Sequence, residues 1–182
     1  MKVLVVVDMQ NDFITGSLGT KEAQVIVPNV KKKIEEYRAN GDHVLFTRDS
    51  HGKHYLETRE GKKLPVEHCI VPSWGFQIAD GLYDGKYDSV LNKPTFGSYN
   101  LVEMLCDECR YYRSTDTPIE EIELVGLCTD ICVVSNALLL KAAFYEDCEI
   151  SVDATCCAGV TPETHEAALK TMEMCQINVK RG

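Results

Sequence analysis

The run Val3-Leu4-Val5-Val6-Val7 constrains the fold more than any other segment of this 182-residue chain. It is apolar at every position instead of every second one. That pattern marks a strand covered on both faces, and such strands belong to parallel sheets packed between helices. The remainder of the chain repeats the theme. Helical spacing over residues 25–37 ends at the Asn40-Gly41 stop, and apolar runs at 44–47, 89–91, 122–125, 149–152 and 177–179 read as further strands. Residues 101–109, 132–144 and 162–175 read as helices, the last opened by Pro162 with Thr161 as its N-cap. Strands alternating with helices predict a three-layer α/β/α architecture with a mostly parallel central sheet. Length and a 45% apolar content suit one domain over residues 1–182. Residues 49–88 break the alternation as a long, polar, Pro- and Gly-punctuated excursion, and loops of that length are usually functional.

Composition removes several classes of function. A net charge of −9 argues against electrostatic binding to nucleic acid or an anionic membrane. No apolar run approaches the roughly 20 residues of a membrane span. The nine cysteines come without the charged and apolar regions of a secretory signal, so they read as reduced thiols of a cytoplasmic protein. Cys106 and Cys109 form a C-x-x-C with no second pair at zinc-ribbon spacing, and are read as structural.

In open α/β sheets ligands bind beyond the carboxyl ends of the strands. Here those ends carry Asp8, Asp49, Lys93 and Cys132. Cys132 stands where the strand of Glu121-Ile122-Glu123-Leu124-Val125 passes through Gly126 into a helix, with Thr129 or Asp130 as candidate caps. A helix N-terminus favours the thiolate, the form that attacks carbonyl carbon, so a lowered thiol pKa is expected. Asp8 can take the thiol proton and return one to a leaving amine, while Lys93 holds both by charge. Asp49 and His51, two residues apart on the excursion, can reach one centre that His68 closes, with Glu57 between them; His54 and Glu60 are weaker candidates. Nitrogen and oxygen donors of this kind suit zinc, manganese or iron(II).

Four ordered segments then form a pattern: Asp8-Met9-Gln10-Asn11-Asp12-Phe13, Asp49-Ser50-His51, Lys93, and Gly126-Leu127-Cys128-Thr129-Asp130-Ile131-Cys132-Val133. Together they resemble the isochorismatase-like cysteine hydrolases, and the metal-ligand set resembles that of the nicotinamidases, also called pyrazinamidases. The resemblance implies a catalytic set of Asp8, Lys93 and Cys132, a non-proline cis peptide at Leu127-Cys128, and an oxyanion hole from the N–H groups of Cys128 and Cys132. It implies metal ligands Asp49, His51 and His68, with Glu57 as the fourth contact, and aromatic substrate walls at Phe13, Trp74 and Tyr99. It also implies a divalent metal, zinc first, a small aromatic amide as substrate, a place in NAD salvage, and a homo-oligomer. The compact segment Lys93-Pro94-Thr95-Phe96-Gly97-Ser98-Tyr99 and the interval containing Gly61-Lys62-Lys63 depart from the nicotinamidase pattern. Another small amide or an isochorismatase-type vinyl ether is the alternative substrate. A zinc-binding or thiol-redox module is the non-enzymatic alternative, with a closed metal site and an ordinary thiol. No G-x-G-x-x-G or P-loop follows a strand, which disfavours a nucleotide binder.

Overall fold

The computed structural model describes residues 1–113, 115, 117–144 and 146–182. Among them six strands form one sheet in the order β3-β2-β1-β4-β5-β6. These are β1 (Lys2–Val7), β2 (His43–Asp49), β3 (Ser89–Lys93), β4 (Glu121–Leu127), β5 (Glu149–Ala158) and β6 (Asn178–Lys180). Every neighbouring pair is parallel. The apolar run of β1 explains the layering. Val3, Val5 and Val7 point into a core with Leu101 and Leu105 of α3 (Tyr99–Arg113), Ala137 and Leu140 of α4 (Val134–Ala143), and Leu169 and Met172 of α5 (Pro162–Met174). Leu4 and Val6 point the other way, against Ala23, Ile26, Val30 and Ile34 of α2 (Lys21–Asn40), with the short α1 (Asn11–Ile14) beside it. Each such fully buried Val or Leu contributes about 1.5–3 kcal/mol of transfer free energy, which is why a strand apolar on both faces settles in the middle layer. No described helix is long and apolar enough to cross a membrane.

Several elements run longer than their sequence reading, α3 among them, and three differences have a local cause. β5 continues past Val152 to Ala158, because Asp153, which looks like a strand end, pairs with Lys33 at 2.7 Å and accepts from Thr155 Oγ1 at 2.6 Å. α2 starts at Lys21 with the Thr20 hydroxyl accepting from Ala23 N–H; its first turn is mostly polar, so periodicity alone did not reveal it. After β4 a π-helical turn, Thr129–Val133, precedes α4, and neither proposed cap serves it. Thr129 Oγ1 instead pairs with His165 Nδ1 at 2.8 Å, and Asp130 accepts from Val160 N–H at 3.1 Å. α5 begins as expected, with Thr161 Oγ1 accepting from Thr164 N–H behind Pro162.

Strand register brings the candidate groups together. Asp49 pairs with Lys93 across β2 and β3, and Val7 with Gly126 across β1 and β4. Gly126 has φ +114°, and a Cβ there would lie 2.1 Å from the Val7 carbonyl oxygen. Only glycine allows that approach, which sets the turn carrying Cys132 beside Asp8. The excursion is tied over the same edge by bridges between His51 and Ile70 and between Gln10 and Ile78.

Candidate active site

Asp8 follows the last residue of β1 with φ +48°. Its Oδ1 accepts from the Thr47 hydroxyl at 2.6 Å, which fixes the carboxyl plane. Lys93 Nζ stands 2.6 Å from Asp8 Oδ2, out of line for a directed hydrogen bond, so the contact is an ion pair that leaves Oδ2 without an aligned donor. The same ammonium donates to Cys132 Sγ at 3.4 Å. Asp8, Lys93 and Cys132 are all buried.

Burial sets the electrostatics of this group. It pushes the Asp8 carboxyl above the usual range, against the opposing pull of Lys93. It opposes the charge on Lys93, but Asp8, Cys132 and Asp49 outweigh it and hold the ammonium above its ordinary pKa. Burial and then the Asp8 charge push the Cys132 thiol well above its ordinary value, with Lys93 opposing. The expected low-pKa thiolate is therefore corrected: the sulfur rests as a thiol beside the Asp8 carboxyl and the Lys93 ammonium. A helix start gives no net thiolate when the sulfur is cut off from water and faces an anion. Cys128, four residues before Cys132, is pushed up to about 12 by burial and then by Asp130 and Asp8. The Leu127-Cys128 peptide is cis.

Asp49, His51, Glu60 and His68 form the adjoining group, with one ligand atom of each within 4.8 Å of all the others. Asp49 Oδ2 lies 3.0 Å from His51 Nε2 and 3.3 Å from His68 Nε2, and Glu60 Oε1 lies 3.7 and 3.8 Å from the same nitrogens. Tetrahedral zinc with bonds of about 2.0–2.1 Å sets its ligand atoms roughly 3.3 Å apart, and these distances bracket that value. His68 Nδ1–H donates to the Val66 carbonyl at 2.8 Å, which turns the Nε2 lone pair into the group. Gln10 holds the Asp49 backbone from both sides, Nε2 donating to its carbonyl at 2.9 Å and Oε1 accepting from its N–H at 2.7 Å. Burial opposes the charge on Asp49, yet hydrogen bonds from His51 and His68 with the charge of Lys93 hold its carboxyl far below the usual range. The residues present fit a divalent ion.

Glu57, expected as the fourth ligand, is not brought to this group. A 3-10 turn over Tyr55–Glu57 buries Tyr55 and sends Glu57 outward, where its side chain is 80% exposed and 3.3 Å from His54. The chain then folds back at Gly61, where a Cβ would lie 2.2 Å from the Tyr55 carbonyl oxygen, and Glu60 comes inward.

Cys132 of the first group and Asp49, Glu60 and His68 of the second line one cavity of about 220 Å³, with Asp8, Lys93 and His51 behind them. Phe13, Leu18, Ala23, Leu64, Phe96, Ile131 and Val160 give it apolar walls, and Asp49, Glu60, His68, Cys128 and Cys132 supply its polar side. A larger groove of about 300 Å³ between the first turns of α2 and α5 contains none of the four strand-end residues. Of the aromatic walls expected from sequence, Phe13 lines the cavity. Trp74 and Tyr99 do not: they are 63% and 76% exposed and lie off it. Phe96 takes their place; its signal was the shortened Lys93–Ser98 segment, which brings an aromatic ring within reach of the strand end. Leu64 and Val160 carry no motif and could not be read as wall residues.

The isochorismatase domain model matches residues 2–180. The chain is 27% identical to the nicotinamidase/pyrazinamidase of Mycobacterium tuberculosis, over 98% of each chain. It is 30% identical to the N-carbamoylsarcosine amidase of Thermoplasma acidophilum, whose crystal structure superposes with a TM-score of 0.78 over 100% of this chain and 96% of that one. The pyrazinamidase of Pyrococcus horikoshii, crystallised in complex with zinc, is 24% identical and superposes with a TM-score of 0.81 over 100% and 99% of the two chains.

Proposed function

Because the chain belongs to the isochorismatase family, we propose that it is a metal-dependent cysteine amidohydrolase that converts nicotinamide to nicotinate and ammonia. The observation that carries this reading is that Cys132, backed by the buried Asp8 and Lys93, opens beside a metal-type group onto one mostly apolar cavity. The cavity is smaller than the roughly 300–1,000 Å³ of a site for drug-sized ligands, which suits a single ring. No Lys or Arg is among its described lining residues. An amide that carries a carboxylate, as N-carbamoylsarcosine does, would meet Asp49 and Glu60 with no side-chain cation to pair it; an uncharged aromatic amide meets Phe13 and Phe96 instead.

The proposed chemistry follows from the protonation states. Asp8 takes the Cys132 proton as the sulfur bonds to the carboxamide carbon, so charge develops on the substrate oxygen and not on a free thiolate. Backbone N–H groups of Cys128 and Cys132 receive that oxygen. Asp8 returns the proton to the departing nitrogen, the C–N bond breaks, and ammonia leaves a thioester on Cys132. Water then attacks the thioester while Asp8 accepts its proton, and the C–S bond breaks as the proton returns to sulfur. The balance is one amide and one water in, one acid and one ammonia out. Lys93 stays charged throughout and holds the Asp8 carboxylate against the sulfur. Asp49, His51, Glu60 and His68 would hold a divalent ion, zinc by their donor chemistry, which when bound offers a Lewis-acidic anchor for a ring nitrogen.

The test is ammonia release from nicotinamide by metal-replete protein beside Cys132→Ala. Release by the intact protein that Cys132→Ala abolishes is the expected result. No release with any of zinc, manganese or iron(II) sinks the nicotinamide assignment and moves the search to other small amides and isochorismate. Activity surviving in Cys132→Ala sinks the mechanism.

A further inference from the structure

Asn136, one turn beyond the nucleophile in α4, is 1% exposed, and its side-chain hydrogen bonds go to the backbone of two site segments. Its Nδ2 donates to the Cys132 carbonyl at 2.8 Å and to the Phe96 carbonyl at 3.0 Å, and its Oδ1 accepts from Ser98 N–H at 3.0 Å. A flipped amide would set Oδ1 against two carbonyl oxygens, so the network itself fixes the orientation. The loop it grips leaves β3 at Lys93 and carries the Phe96 wall. Beyond that clamp the loop is held at its far end by Ser98 Oγ, which accepts from Leu101 N–H at 3.2 Å, while Phe96 is 46% exposed and the Thr95 hydroxyl donates within the loop to the Gly97 carbonyl. The loop lies against α4, where a Cβ on Gly97 would sit 2.8 Å from Leu139 Cδ1 and 3.3 Å from Ser135 Cβ.

We infer that Asn136 is a specificity-setting positioning residue: it clamps the Phe96 wall to the carbonyl of Cys132 and so fixes the slot between the sulfur and that ring. The slot accepts a flat aromatic amide in preference to a smaller aliphatic one. This rests on reading the cavity as an amide site, and it concerns which amide fits rather than whether one reacts.

Asn136→Leu removes all three hydrogen bonds. Asn136→Thr is the sharper probe, because a Thr hydroxyl in a helix reaches the carbonyl four residues back and keeps the Cys132 contact while losing Phe96 and Ser98. Two alkylating amides, iodoacetamide and its N-phenyl analogue, report the slot without any turnover; in each, Cys132 sulfur displaces iodide and its proton leaves to Asp8 or solvent. Rates are read at the Cys132 peptide by mass spectrometry. The expected result is that both variants lose about tenfold in the ratio of N-phenyl to parent rate. If Asn136→Leu fails to fold, Asn136→Thr carries the test alone. A wild-type ratio in Asn136→Thr overturns the inference, and so do two rates that fall together with their ratio unchanged, the signature of a merely structural role. Failure of wild-type protein to hydrolyse nicotinamide would count against the amidase reading while the alkylation ratio still decides the clamp.

Discussion

Two buried ionic clusters share the sheet, and they are built from the same residue types to opposite effect. Towards the amino ends of the strands, Glu123 accepts from Tyr37 at 2.6 Å and from Lys180 at 2.8 Å, Glu121 accepts from Lys180 and Ser151 at 2.5 Å and pairs with Lys2 at 2.8 Å, and Asp153 pairs with Lys33. Burial would raise Glu121, but the hydrogen bonds from Lys180, Lys2 and Ser151 bring it down to about 2. At the carboxyl ends, Asp8 shares one lysine with a thiol, keeps an oxygen without an aligned donor, and is raised. Where every acid is saturated with donors the cluster fixes structure. Where burial raises one acid, that carboxyl suits the proton-accepting role proposed for it.

The largest effect expected from breaking this contrast is on turnover. Asp8→Asn keeps the shape but cannot accept a proton, and should lower ammonia release by about 10²–10⁴-fold; Glu121→Gln, at the opposite end of β4 from the Cys132 turn, should leave the rate within about twofold. Stability separates the clusters in another way. Lys93→Met strands a fully buried carboxylate beside Asp49 and should cost about 3–5 kcal/mol by urea denaturation. Lys180→Met, from a partly exposed lysine whose acids retain Lys2, Lys33, Ser151 and Tyr37, should cost no more than about 1–2 kcal/mol. Equal losses would remove the distinction between the two regions.

Metal binding sharpens the comparison at the excursion. Glu60→Ala should weaken zinc binding at least about tenfold by competitive chelation, and Glu57→Ala should leave it unchanged. The reverse order would return the fourth contact to Glu57. The smallest effect is on acid stability. Glu121 and Asp153 have depressed folded-state pKa values, so their contribution is complete above the ordinary carboxylate range and is lost as pH falls through the folded values, to about 2 for Glu121. Glu121→Gln should therefore shallow the acid limb of the stability curve by up to about one proton.

What could be read from sequence was whatever depended on local pattern. Val3 to Val7 announced the middle layer because apolar side chains on both faces have nowhere else to go, and the residues after each strand were visible because parallel strands end at one edge. The misreadings needed tertiary knowledge. Sequence favours Glu57 over Glu60, three residues on in the same loop; the turn at Tyr55 and the close approach at Gly61 reverse that order. Trp74 and Tyr99 look like better walls than Phe96 until the loop after β3 is seen lying on α4. The strand end at Asp153 was concealed by a partner more than a hundred residues away in sequence, Lys33. The thiol was misjudged because a helix start is legible in sequence and burial beside Asp8 is not.

Ammonia release from nicotinamide by zinc-loaded wild-type protein and by Asp8→Asn, both shown folded by their thermal transitions, tests the central claim most directly. The account predicts steady release from the wild type and a loss of at least about a hundredfold in the variant. Release at the wild-type rate from Asp8→Asn would contradict it.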